Sequence, residues 1–135
     1  MQVGLEDCIP KNKHDKESVS RTRLVGFPGI DPILPQLLMW LQDLNWPVAY
    51  EVLELLSDAD AEIVPHIKTI LASQDGAWKY SLLSFGLLSR LEPTIRGALR
   101  DDLERLIASP TEDDIREEVN LAAMEIFADW NKSAD

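Results

Sequence analysis

The sequence predicts an all-α chain, an α-α superhelix of about three antiparallel helical hairpins following an N-terminal helix. Three observations predict it. An Asp-x-x-Trp step at Asp43 to Trp46 recurs at Asp75 to Trp78, each copy where one apolar stretch ends and the next begins. Prolines lie near the start of the preceding stretches, so that the Pro35 to Pro65 offset is 30 residues and the Trp46 to Trp78 offset 32. Stacked two-helix repeats have periods of this size. No segment sustains the period-two alternation of a strand. The stack is expected to be right-handed and to form one domain, residues 1–135.

Residues 1–13 read as an N-terminal arm and 14–26 as the first helix, capped by Asp15 and ended by the Gly26-Phe27-Pro28-Gly29 break. The first hairpin is expected over 31–58. Asp31 caps its first helix with Pro32 at the favoured first position, and Ile33, Leu34, Leu37, Leu38 and Leu41 recur at three- and four-residue steps along one face. Asn45 is the natural N-cap of the next helix, whose first turn tolerates Pro47 and whose stripe is Val48, Val52, Leu55 and Leu56. The second hairpin, 62–90, places Ile63, Ile67, Ile70 and Leu71 inward on one helix. Trp78, Leu82, Phe85 and Leu88 face inward on a single helix running on from Asp75. The third hairpin, 93–130, opens at Pro93, breaks at Ser109-Pro110-Thr111 and closes with one helix whose stripe is Ile115, Val119, Ala122, Met124 and Ile126. Leu37, Leu41, Val52, Leu55, Ile67, Leu71, Leu82 and Phe85 are the expected core.

A chain of 135 residues buries roughly two-thirds of its unfolded surface and holds a core without staples. Its one cysteine, Cys8, placed before the first helix in a segment expected to be mobile, excludes an internal disulfide and a multi-cysteine zinc site. With no signal-like start and no apolar run near the roughly 20 residues of a membrane span, a cytoplasmic protein is expected. The net charge of -11 is uneven: residues 1–26 hold five bases and four acids, the other 109 residues eight bases and 20 acids. That body repels phosphate backbones and anionic lipid, so the expected partners include neither nucleic acid nor membrane.

The segments Ile9-Pro10-Lys11-Asn12-Lys13-His14-Asp15, Ile33 through Ala49 with its Asn45-Trp46-Pro47-Val48 core, Val64-Pro65-His66-Ile67 and Trp78-Lys79-Tyr80 together resemble the domain of unknown function 5071 family. The resemblance covers most of the chain. It implies a small HEAT-like or armadillo-like helical domain, usually bacterial, and carries over no catalytic residue. Small proteins of this look are also associated with toxin neutralisation.

Trp46 and Trp78 admit two readings. Equivalent positions of successive repeats stack into a core; alternatively, a Trp at the first turn of an inner helix lines a binding groove, a residue type enriched at interface centres. Asp43, Asn45 and Asp75 read first as caps. Glu62 and His66 lie one turn apart, but Asp58-Ala59-Asp60-Ala61-Glu62 lacks the glycine and the closing glutamate of a calcium loop and reads as a solvated loop. Catalytic motifs are missing: there is no Gly-x-Ser-x-Gly, His-Glu-x-x-His, Walker loop or dinucleotide fingerprint. Glu51 with Glu54, and the run Asp113 to Glu118, read as solvated helix charge.

These features favour a non-enzymatic protein-binding module without a cofactor, monomeric or weakly dimeric. Its candidate contacts are Asp43, Asn45, Trp46, Tyr50, Asp75, Trp78 and Lys79 with the acidic C-terminal helix. Its more specific form is an immunity-type protein, whose acidic surface covers the basic site of a toxin. The alternative is an enzyme or small-ligand protein with a pocket between the arm and the first hairpin, using His14, Asp15 and the Trp46 region.

Overall fold

The computed structural model describes residues 4–43, 45–84 and 86–133, and those residues form helices and turns with no strand. The chain is all-α. A 3-10 turn, Leu5–Cys8, leads to α1 (Lys16–Val25); α2 (Leu34–Leu38) lies between the 3-10 turns Asp31–Ile33 and Met39–Leu41. There follow α3 (Pro47–Leu56), the turn Ala61–Ile63, α4 (Val64–Leu71), α5 (Gly76–Ser84), α6 (Leu87–Arg90), α7 (Pro93–Ala108), α8 (Glu112–Arg116) and α9 (Val119–Ser133).

The arm is a docked part of the fold, which corrects the mobile segment expected around Cys8. Its turn packs on α1. Cys8 is fully buried, Thr22 Oγ1 stands 2.6 Å from Cys8 O, and Arg21 Nε donates to Asp7 O at 2.8 Å. The apolar residues of the turn gain more from covering α1 than from hydration. Asp15 caps α1 as its position predicts, accepting from Ser18 N–H at 3.2 Å. The helix ends at Gly26, whose φ of +68° lies in the left-handed region that glycine adopts without strain, and the Phe27–Pro28 peptide that follows is cis.

The helix expected from Asp31 is instead a succession of 3-10, α and 3-10 turns. Pro35 lacks the N–H that a continuous α-helix capped by Asp31 would donate to Asp31 O, whereas Pro32 sits where no N–H is needed. Asp31 lies inside the first turn and caps nothing; its Oδ1 is buried with no hydrogen-bond partner among the described residues. Burial first, then neighbouring Asp60 and Glu62, holds its carboxyl above the ordinary range, with His66 acting the other way. The Leu34, Leu37, Leu38 and Leu41 stripe is fully buried as expected.

Helix α3 starts one residue later than an Asn45 cap requires. Pro47 occupies the first helical position, the extended Trp46 precedes it, and no side chain caps the end. The backbone supplies the cap: Val48 N–H donates to Lys13 O of the arm at 3.0 Å. Two further helices divide where one was expected. Gly86, with φ of +81°, separates α5 from α6, and Glu118, with φ of +61°, separates α8 from α9. The second break turns Ile115 outward at 55% exposure, and Met124 is exposed at 44%, whereas Val119, Ala122, Ile126 and Trp130 are buried.

One core joins these elements. The helix α3 packs on α1 and on the turn Met39–Leu41; α4 packs on α5 and α7; α9 packs on α5, α6, α7 and α8. Leu37, Leu41, Val52, Leu55, Ile67, Leu71 and Leu82 are all buried in it. Phe85, the remaining expected core residue, lies outside the described residues, as does Leu44 of the first Asp-x-x-Trp step.

Candidate functional site

The docked arm and the broken helix enclose an open apolar cleft of about 260 Å³. Ile9 and Pro10 form one wall, Gln36, Met39, Trp40 and Gln42 the other, and Trp46 the end. The Trp40 and Trp46 rings meet edge to face, 5.3 Å apart at 64°, an arrangement aromatic quadrupoles favour. Both indoles pack against the core and stay half-buried, while Met39 is 49% exposed. Trp46 is thus both a packing residue and a lining residue, joining the two roles that the sequence sets against each other.

Trp78 lines a different depression with Ser73, Gln74, Asp75, Gly76, Ala77, Asp113 and Glu117. This second place is bound up with helix ends. Asp75 caps α5, accepting from Trp78 N–H at 3.0 Å, and Asp113 Oδ2 accepts from Gly76 N–H at 2.8 Å. A Cβ on Gly76 would stand 2.5 Å from that oxygen, so the approach of α8 to α5 requires glycine. Beneath it, Lys79 Nζ meets Asp114 Oδ1 at 2.6 Å, with both residues about 2% exposed. Burial alone would raise the Asp114 pKa; hydrogen bonds from Lys79 and from Thr111, partner of Asp114 in a capping box, outweigh it and hold the carboxyl below its ordinary range.

Lys79 therefore leaves the expected contact set: its ammonium points into the protein, because the acidic run at 113–118 is in part a receiving site for α5 rather than solvated charge. Of the other expected residues, Trp46 lines the first place and Asp75 and Trp78 the second, while Asp43, Asn45 and Tyr50 line neither. Asp43 Oδ1 accepts from Asn45 N–H at 2.8 Å, forming a turn beside Trp46 rather than a helix cap, and Asn45 is exposed. Tyr50, on α3, is 58% exposed. His14 is exposed and Asp15 is occupied as a cap, so neither lines the cleft beside them. Glu51 and Glu54 hold Arg23 at 3.2 and 3.4 Å. Among the described residues no group of three His, Cys, Asp or Glu side chains gathers as a metal set.

Ile9, Pro10, Gln36, Met39, Trp40 and Gln42 are the cleft residues that the sequence reading left out of the site. One signal pointed to two of them: Met39 and Trp40 are large apolar residues lying off the Leu37, Leu38 and Leu41 stripe.

The family described as Domain of unknown function (DUF5071) matches residues 8–127. The chain belongs to this family. The DUF5071 span takes in the arm from Cys8, both walls of the cleft and the α5–α8 junction. No curated protein matches the chain. Within the described residues no helix is long and apolar enough to cross a membrane.

Proposed function

We propose that this DUF5071 chain is a non-enzymatic protein-binding module of HEAT-like helical-repeat type, and that a partner inserts an apolar side chain into the cleft between the arm and the Met39–Leu41 turn. The observation that carries this reading is the cleft itself. Apolar surface left in water forgoes about 25 cal/mol per Å² of stabilisation, and here two indoles and a methionine border one recess. Aromatic residues at such recesses dominate interface energies because they bury much area with few rotatable bonds. Two half-buried rings locked edge to face are also ordered before a partner arrives, which lowers the entropic cost of binding.

The test is capture of partners from native cells by the immobilised protein, run beside Met39→Lys. Met39 is half-exposed, so the lysine head reaches water while its charge blocks the recess. The expected result is a protein retained by the parent at low and moderate salt and lost from Met39→Lys, with unchanged circular dichroism. Capture that ignores the substitution would remove the cleft from the function.

A further inference from the structure

We infer that the outward face of α9 is a second docking surface, and that it takes a basic amphipathic segment of another protein, with apolar anchors in a row and lysines or arginines beside them. The inference goes beyond the cleft reading, since no residue of α9 lines the cleft. Helix α9 places apolar residues on two faces. Val119, Ala122, Ala123, Ile126 and Trp130 are buried, whereas Leu121, Met124 and Ala128 follow one another at three- and four-residue steps on the exposed side. Ile115, on α8 packed against α9, is exposed as well, so three of the eight exposed large apolar residues among the described ones fall between 115 and 124. Scattered singly, such residues need no explanation; in a row on one helix face they mark an interaction surface.

The charge beside this row selects the occupant. Glu125 lies one turn beyond Leu121 and Asp129 one turn beyond Glu125, both exposed, and the exposed Glu118 stands at the head of the helix, its carbonyl accepting from Ala122 N–H at 3.1 Å. Residues 112–133 hold seven acids and two bases, and of the bases Arg116 is engaged by Asp113 at 2.9 Å. On the other flank Arg100 of α7 lies over the Phe127 ring, 5.2 Å from its centre. The two flanks differ in sign, so a ligand's cations belong on the Glu125 side while its apolar row covers Leu121 and Met124. A second copy of this chain would bring the same carboxylates together across a two-fold axis, where like charges repel. Nucleic acid and anionic lipid are repelled for the same reason.

The experiment uses the full chain and three fluorescein-labelled amphipathic peptides that share one row of leucines and carry lysines, glutamines or glutamates on the remaining face. Anisotropy titrations are run at low and high salt on the parent, on Leu121→Ser/Met124→Ser, on Glu118→Gln/Glu125→Gln and on Met39→Lys. All the substituted residues are exposed, so circular dichroism should be unchanged. The lysine peptide should bind the parent roughly tenfold tighter than the glutamine peptide at low salt, with the advantage shrinking at high salt as screening removes it. Leu121→Ser/Met124→Ser should weaken both peptides by roughly tenfold. Glu118→Gln/Glu125→Gln should remove most of the lysine advantage and leave the glutamine peptide as it was, and Met39→Lys should change neither. Tightest binding by the glutamate peptide, binding of no peptide, or binding indifferent to Leu121→Ser/Met124→Ser would overturn the inference. Loss in Met39→Lys alone would seat the peptide in the cleft, overturning the α9 surface and leaving the cleft reading standing. A dimer seen by sedimentation in the parent and lost from Leu121→Ser/Met124→Ser would make a second copy the occupant and overturn the basic partner.

Discussion

At the residue scale, Lys79 and Asp114 show how far a side chain's surroundings can depart from its local sequence. Thirty-five residues apart and almost fully buried, they form an ion pair whose parts cannot be removed singly without cost. Lys79→Met should destabilise by about 3–5 kcal/mol, because it leaves a buried carboxylate unpaired, and Lys79→Met/Asp114→Leu should recover much of the loss. Urea denaturation of the single and double variants checks this. Asp31 is the opposite case. Its folded pKa is raised from 3.8, so its proton binding contributes stability below that value and the contribution is lost as pH rises through the folded pKa. Asp31→Asn should therefore be more stable than the parent at neutral pH, with the difference vanishing below about pH 3.8. Asp114 is depressed, so its contribution stands above the unfolded value and falls away as acid protonates it. Stability curves measured from neutral to acid pH separate the two signs. A flat Asp31→Asn difference across that range would refute the first.

At the element scale the caps divide into those with a local sequence and those without. Asp15 and Asp75 announce themselves, since an aspartate before an apolar periodic stretch accepts the free N–H groups of the first turn. Asp75→Ala should cost about 1 kcal/mol. Asn45→Ala, at a position that caps nothing, should stay within about 0.5 kcal/mol of the parent. The α3 end was illegible because its cap is a backbone carbonyl from Lys13, and a carbonyl belongs to every residue type. The apolar stripes of α3 and α4 were legible, since three- and four-residue spacing is a property of the helix itself. The break at Gly86 was not, because in the sequence Trp78, Leu82, Phe85 and Leu88 recur at three- and four-residue steps across it. Thermal melts discriminate here as well: Gly86→Ala, at φ of +81°, should lose about 1–2 kcal/mol. Gly97→Ala, inside α7 with nothing within 4 Å of the added Cβ, should gain about 0.5–1 kcal/mol.

At the scale of the whole molecule, the all-α class followed from the repeat spacing and the lack of strand alternation, while the cleft followed from neither. It needs Ile9 and Pro10 to lie against Met39 and Trp40, a juxtaposition produced by docking the arm and invisible in any window of sequence. The arm does three things at once: it covers α1, closes the end of α3 through Lys13 and walls the recess. Recess and core are thus coupled, and a ligand that grips the arm should raise the melting temperature by mass action. Trp46→Ala should cost less than the about 3–5 kcal/mol of an emptied core aromatic site, since the ring is only half-buried, and denaturation of the variant checks it. The fully buried Cys8 makes the arm its own clock. A thiol reagent can reach that sulfur only when the arm lifts, so the alkylation rate of the native protein counts lifting events and, through its denaturant dependence, distinguishes local opening from global unfolding. Any molecule that pins the arm while seated in the recess would slow the clock, which turns one inaccessible sulfur into an occupancy gauge that serves for a ligand of any chemistry.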